Sequence, residues 1–168
     1  ARPRDALVGR RVTEVLGDQV LHVPRDRYLE VIEDLRSDGF AMCIDVTSVD
    51  YSAAPTARSL PAGVEPQRFE VVVLLISHAR KERLRVRVQV PGTDPSIPTL
   101  FDLFPGTEAM EREVYDLMGI VFVDHPDLTR ILMPEDWEGH PLRKDYSQGR
   151  VPVQFKFPEG KYAAEDRP

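Results

Sequence analysis

Phe69-Glu70-Val71-Val72-Val73-Leu74-Leu75-Ile76, followed closely by Leu84-Arg85-Val86-Arg87-Val88-Gln89-Val90, is the stretch that decides the fold. The first run is β-branched and aliphatic almost throughout, as a central strand buried on both faces would be. The second alternates apolar residues with Arg85, Arg87 and Gln89, the period-two pattern of a half-exposed strand. The gap between them, Ser77 to Arg83, is short enough to be a hairpin turn.

Upstream, the spacing of Tyr28, Leu29, Ile32 and Leu35 predicts an amphipathic helix over residues 25–38, with Pro24 at its entrance and Gly39 just past its end. Ala41 to Val49 reads as a strand, Met42, Ile44 and Val46 alternating against Cys43, Asp45 and Thr47. Tyr51 to Pro66, with Pro55, Pro61, Gly63 and Pro66, reads as a loop. Downstream, Pro91, Pro95 and Pro98 break the chain into another loop. Thr107 to Met118 then predicts a second helix, with Met110, Val114, Leu117 and Met118 facing inward and Gly119 as its stop. Ile120 to Val123 is a short extended piece. From Asp124 to Pro168 periodicity gives way to proline, glycine and charge. The expected fold class is therefore α+β: a small mixed sheet packed with helices over residues 1–123, followed by a long irregular C-terminal arm over 124–168.

With 168 residues the chain fits one domain, and 42% hydrophobic residues can form a core. A net charge of -6 argues against a nucleic-acid partner, which calls for a basic stripe. The longest apolar run, Val71 to Ile76, is far short of the roughly 18 residues of a membrane span. Any membrane association is thus expected to come through a partner or a surface. No signal peptide is evident, and Asp5, Glu14 and Asp18 among Arg2, Arg4, Arg10 and Arg11 argue against a transit peptide. Cys43 is the single cysteine. It cannot form an internal disulfide, which points to a reducing compartment. Nor can it alone hold an iron–sulfur cluster, which takes about four thiolates.

Chemistry is sparse. There is no glycine-rich nucleotide fingerprint and no G-x-S-x-G elbow. His125 and His140, flanking Asp124, Asp127, Asp136 and Glu138, are the best metal candidates. Both precede proline and neither has the i, i+4 helical partner that aims two imidazoles at one ion. They read better as turn-fixing or partner-contacting residues. His22 and His78 read as surface or boundary residues. Glu111 and Glu113 project to nearly opposite faces of the second helix, while Glu108–Arg112 and Arg112–Asp116 have the spacing of a solvated ion-pair ladder. The arm carries Leu128, Ile131, Leu132, Met133, Trp137, Leu142 and Tyr146 with Arg130, Arg143 and Lys144 among them. This is the composition of a docking surface. Docking on another subunit is expected over folding back on its own domain.

The segment Glu111-Arg112-Glu113-Val114-Tyr115-Asp116-Leu117-Met118-Gly119-Ile120 resembles the signature of the 30-kDa subunit family of respiratory complex I. The resemblance continues through His125-Pro126-Asp127-Leu128, Arg130-Ile131-Leu132, Asp136-Trp137 and Glu138-Gly139-His140-Pro141-Leu142-Arg143-Lys144-Asp145-Tyr146. Weaker echoes lie at Asp45 to Tyr51 and Arg68 to Val71. Met110 and Ser147 stand where the family usually has Trp and Pro. The resemblance implies a subunit without cofactors in the quinone-reducing module of the peripheral arm of the NADH:quinone oxidoreductase. It would sit at the cytoplasmic face of a bacterial plasma membrane, or the matrix side of a mitochondrial membrane. It implies packing on the hydrogenase-large-subunit-like quinone-site subunit, with FMN and iron–sulfur clusters held by other subunits. Glu111, Arg112, Glu113 and Asp116 would fix the second helix against the arm or partner. Arg130, Arg143, Lys144 and Asp145 would bond across the interface around Trp137, so Arg143→Ala should lower assembly and leave the domain folded. The rivals are the equivalent subunit of a membrane-bound nickel–iron hydrogenase and a free-standing metal-dependent enzyme using His125 and His140.

Overall fold

The computed structural model describes residues 11–15 and 18–147; residues 1–10 and the 148–168 part of the expected arm lie outside the described residues. In chain order the elements are β1 (Arg11–Val15), β2 (Asp18–Val23), a 3-10 turn (Arg25–Arg27) leading into α1 (Tyr28–Ser37), and β3 (Met42–Asp50). They continue with β4 (Phe69–Ser77), β5 (Glu82–Val90), β6 (Ser96–Pro98), a 3-10 turn (Pro105–Thr107) leading into α2 (Glu108–Met118), and β7 (Val121–Val123). The α+β class read from the sequence is the observed one.

Five strands form one sheet in the order β1-β2-β5-β4-β3. β2 runs parallel to β5, and β4 is antiparallel to both of its neighbours, so β2 and β3 point the same way. They are joined through α1, and the β4–β5 hairpin fills the space between them. Its register sets Phe69 opposite Val90, Val71 opposite Val88, Val73 opposite Val86 and Leu75 opposite Leu84. All eight are buried and form the floor of the core. Tyr28, Val31, Ile32 and Leu35, at i, i+3, i+4 and i+7, bring α1 onto that floor, and Val114 and Met118 of α2 close its side.

Several local expectations change. Leu29 lies outside the apolar stripe of α1, where Val31 takes the inward place. The alternation read for β3 fails at its start because pairing slips between Cys43 and Asp45, leaving Ile44 opposite no residue. One extra residue reverses which side the preceding residues face, so Met42 is exposed while Val46 is buried. The proline-broken loop contains β6, which pairs in parallel with β7. The flanking bonds run from the Val121 amide to the Pro95 carbonyl and from the Thr99 amide to the Val123 carbonyl. No proline N–H is needed there. His22 is buried rather than a surface residue.

Leu75→Ala removes a fully buried side chain from the hairpin floor. It is expected to lower unfolding free energy by roughly 2–5 kcal/mol in a urea titration.

Candidate functional site

The sequence signature folds around the C-terminal end of α2. A helix leaves its last carbonyls without intrahelical donors, and buried carbonyls need partners. Here the chain beyond β7 supplies them. The Asp116 carbonyl accepts from Arg130 Nη1 at 3.3 Å and His140 Nδ1 at 2.9 Å. The Leu117 carbonyl accepts the Leu142 amide at 3.0 Å. Arg143 donates from Nε to the Met118 carbonyl at 2.6 Å and from Nη2 to the Gly119 carbonyl at 3.1 Å. Two guanidinium groups thus sit at the negative end of the helix, where cations are favoured.

Gly119 makes this approach possible. Its φ of +68° ends the helix in the left-handed region, and a Cβ there would run into Arg143 Nη2 and lie 2.5 Å from His140 Nε2. The position therefore excludes a side chain twice over.

Asp116 is the second element of the site. Its carboxylate is fully buried and pairs with Arg130 at 2.6 Å, the guanidinium being 16% exposed. The other oxygen accepts three successive amides, Ile131 at 3.1 Å, Leu132 at 2.8 Å and Met133 at 2.8 Å. Burial pushes its pKa upward, but the bonds from Met133, Leu132, Arg130 and Ile131 outweigh that and hold it at about 2. The expected Arg112–Asp116 ladder is therefore absent. Arg112 instead meets Glu108 at 3.5 Å and donates to Thr129 and the Arg130 carbonyl.

Glu111 is also buried, on the inner side of α2. It accepts from the hydroxyls of Thr99 and Thr107 and from the Leu100 amide, tying the helix to the segment after β6. Burial raises its pKa beyond what those bonds offset. Glu113 projects to the exposed side, as its spacing from Glu111 predicts.

The arm is latched again at its far end. Arg68 bridges the buried Asp50 at 2.9 Å and the exposed Asp145 at 2.7 Å, and the Lys144 amide donates to Asp50 at 3.0 Å. Burial opposes ionisation of Asp50, yet the bonds from Arg68, Lys144 and Ser52 hold its pKa far below the carboxylate range. Both Arg68 and Arg143 lie over the Phe69 ring, at 4.8 and 5.4 Å from its centre.

Both arm histidines fix local structure. The His125 ring accepts the Asp127 amide at Nδ1 and meets the Glu108 carbonyl through Nε2, which requires the Nε2–H tautomer. His140 spends Nδ1 on Asp116 and abuts Gly119 with its other edge. Both nitrogens of His125 and Nδ1 of His140 are thus committed to separate backbone groups, and among the described residues no three His, Cys, Asp or Glu side chains are placed to hold a metal ion.

Of the residues expected at an intermolecular interface, Arg130, Arg143 and Asp145 bond within the chain through their side chains and Lys144 through its backbone amide. Truncating Arg143 would take these donors from the Met118 and Gly119 carbonyls, so the side chain also has a role inside the domain. What remains outward is the other face of the arm. Ile131 is 41% exposed, Leu132 60%, Trp137 41% and Leu142 48%. The partners Asp50 and Arg68 carried no spacing signal, since Asp50 and Lys144 stand 94 residues apart.

A family model described as the 30 Kd subunit of the respiratory-chain NADH dehydrogenase matches residues 21–151. The chain belongs to this family. It is 44% identical over 152 residues to NADH-quinone oxidoreductase subunit 5 of Thermus thermophilus, covering 88% of this chain and 69% of that one. It is 41% identical to an NADH-quinone oxidoreductase subunit of Saccharopolyspora erythraea, where the match covers 89% of this chain but only 57% of the relative. Among solved structures, a trypsin-resistant fragment of Nqo5 matches with a TM-score of 0.63 at 38% identity, covering 72% of this chain and 91% of the fragment. A chain of an archaeal membrane-bound sulfane sulfur reductase shares the fold, with a TM-score of 0.70 at 20% identity over 91% of this chain and 90% of that chain. No helix among the described residues is long and apolar enough to cross a membrane.

Asp116 has a folded pKa of about 2, below its ordinary 3.8. Its contribution is complete above the ordinary value and is lost as pH falls through the folded one. Stability should drop between about pH 4 and pH 2. Asp116→Ala, which strands Arg130, should cost roughly 3–5 kcal/mol at pH 7 and make that part of the pH profile shallower, the rest of its slope coming from Asp50. Urea titrations across the range check both.

Proposed function

We propose that this chain is a structural subunit of the quinone-reducing module in the peripheral arm of a proton-translocating NADH:quinone oxidoreductase. It carries no cofactor and no active site of its own. FMN and iron–sulfur clusters belong to neighbouring subunits, and the chain helps hold that electron path together. Its principal partner is the hydrogenase-large-subunit-like subunit that forms the quinone site. Contact with the membrane is indirect, at the cytoplasmic face of a bacterial plasma membrane.

The observation that carries this reading is the two-sided arm. Its polar groups are committed to α2 and to Asp50, which holds the backbone in one shape. Ile131, Leu132, Trp137 and Leu142 are left projecting from that shape. Large apolar side chains held outward at little further entropic cost are what a permanent interface uses. The lone thiol fits the same reading. Burial pushes the pKa of Cys43 up to about 12, which keeps it a protonated thiol rather than a thiolate nucleophile at neutral pH.

Leu132→Ser with Trp137→Ser tests the role of the outer face. Purification of tagged wild-type and variant chains from native membranes in mild detergent should show the variant recovering about tenfold less of the flavin- and iron–sulfur-bearing subunits. Its own thermal unfolding should be unchanged, since both side chains are exposed. Equal recovery of those subunits would refute the docking role. Recovery of a nickel–iron enzyme instead would move the chain to the hydrogenase branch.

A further inference from the structure

The arm separates its charges. Its guanidinium groups are spent inward, Arg130 on Asp116 and Arg143 on the last carbonyls of α2. Glu135, Asp136 and Glu138 are exposed, and none of their carboxylates meets a hydrogen-bond or ion-pair partner among the described residues. In the chain they bracket Trp137, which is 41% exposed.

The backbone beneath these four side chains is pinned. The Trp137 amide closes a turn on the Pro134 carbonyl at 3.0 Å. The Gly139 carbonyl accepts Arg130 Nη2 at 2.9 Å, and the Glu138 carbonyl accepts the Tyr146 hydroxyl at 3.4 Å. Gly139 has a φ of +81°, and a Cβ there would lie 2.8 Å from the Tyr146 ring. The indole and the carboxylates are thus presented from a loop already held in place.

Whatever covers Trp137 also covers the carboxylates beside it. Taking such groups out of water without an opposite charge is costly. They are not gathered to share a metal ion, so the matching charge falls to side chains of the partner. A guanidinium suits the place better than an ammonium, because its plane stacks on an indole while its fork of N–H groups bonds carboxylates.

We propose that the arm docks into an apolar recess rimmed with arginine, one guanidinium lying on the Trp137 ring and bonded to the carboxylates beside it. The inference rests on the docking role proposed above and adds the chemistry of the receiving surface. Tagged chains are recovered from native membranes in mild detergent, wild type beside Glu135→Gln/Asp136→Asn/Glu138→Gln and Trp137→Leu. The flavin- and iron–sulfur-bearing subunits that accompany them are quantified as sodium chloride in the wash rises from about 0.1 to about 0.5 M. At the lower salt the neutralised variant should recover about tenfold less of those subunits, and its recovery should fall less steeply with salt than that of wild type. Trp137→Leu, which stays apolar but loses the ring face, should also recover less. Thermal unfolding of both variants should match wild type, since the altered side chains are exposed. Should the combined variant unfold early, Asp136→Asn and Glu138→Gln decide singly. Recovery equal to wild type in either variant, or a loss in the neutralised one with the wild-type salt dependence, overturns the proposal. In that event a loss with Leu132→Ser/Trp137→Ser leaves apolar docking standing, and equal recovery with that pair removes the docking role as well.

Discussion

The C-terminal end of α2 is the constraint on which the arm and its surroundings depend. A helix that stops against a sheet must find donors for its last carbonyls, and here none come from the elements before it. They come from Arg130, His140, Leu142 and Arg143. The requirement fixes the path of a segment with no repeating backbone pattern. Asp116 adds a second hold from the same turn of helix, gathering three amides and a guanidinium onto one carboxylate. An irregular chain is thereby held in place by a regular one. Gly119 is the point where both demands meet, since only a residue without a side chain lets Arg143 and His140 come so near.

Much of the scaffold was legible in the sequence because its signals are periodic. The run Phe69 to Ile76 and the alternation through Val90 were read as a hairpin, and both helices and their terminal glycines were placed to within a few residues. β1, β2 and β6 were missed for physical reasons. Tertiary pairing makes short strands out of segments with weak local preference, and β6 needs no amide from its prolines. The bulge at Ile44 could not be read because a register slip leaves no mark on composition.

The site was half legible. Its residues were named through the family resemblance, but their bonding was assigned outward when much of it runs inward. Spacing cannot tell a buried Asp116 from a solvated one, nor show that Arg68 reaches both Asp50 and Asp145. The reading of exposed apolar anchors fares differently. Trp137 and Leu142 stand outside the periodic elements and remain uncovered, as side chains do when the backbone beneath them is already committed.

The order in which the chain is synthesised gives this arrangement a further meaning. α2 ends at Met118, yet the guanidinium that bonds its last carbonyl belongs to Arg143, 25 residues later. While the protein is being made, the sheet and both helices emerge from the ribosome before their closing piece exists. The helix end stays hydrated until the arm arrives. The apolar ridge takes its fixed shape only when the arm has settled onto α2 and Asp50. A copy whose arm has not yet settled would therefore lack the shaped surface.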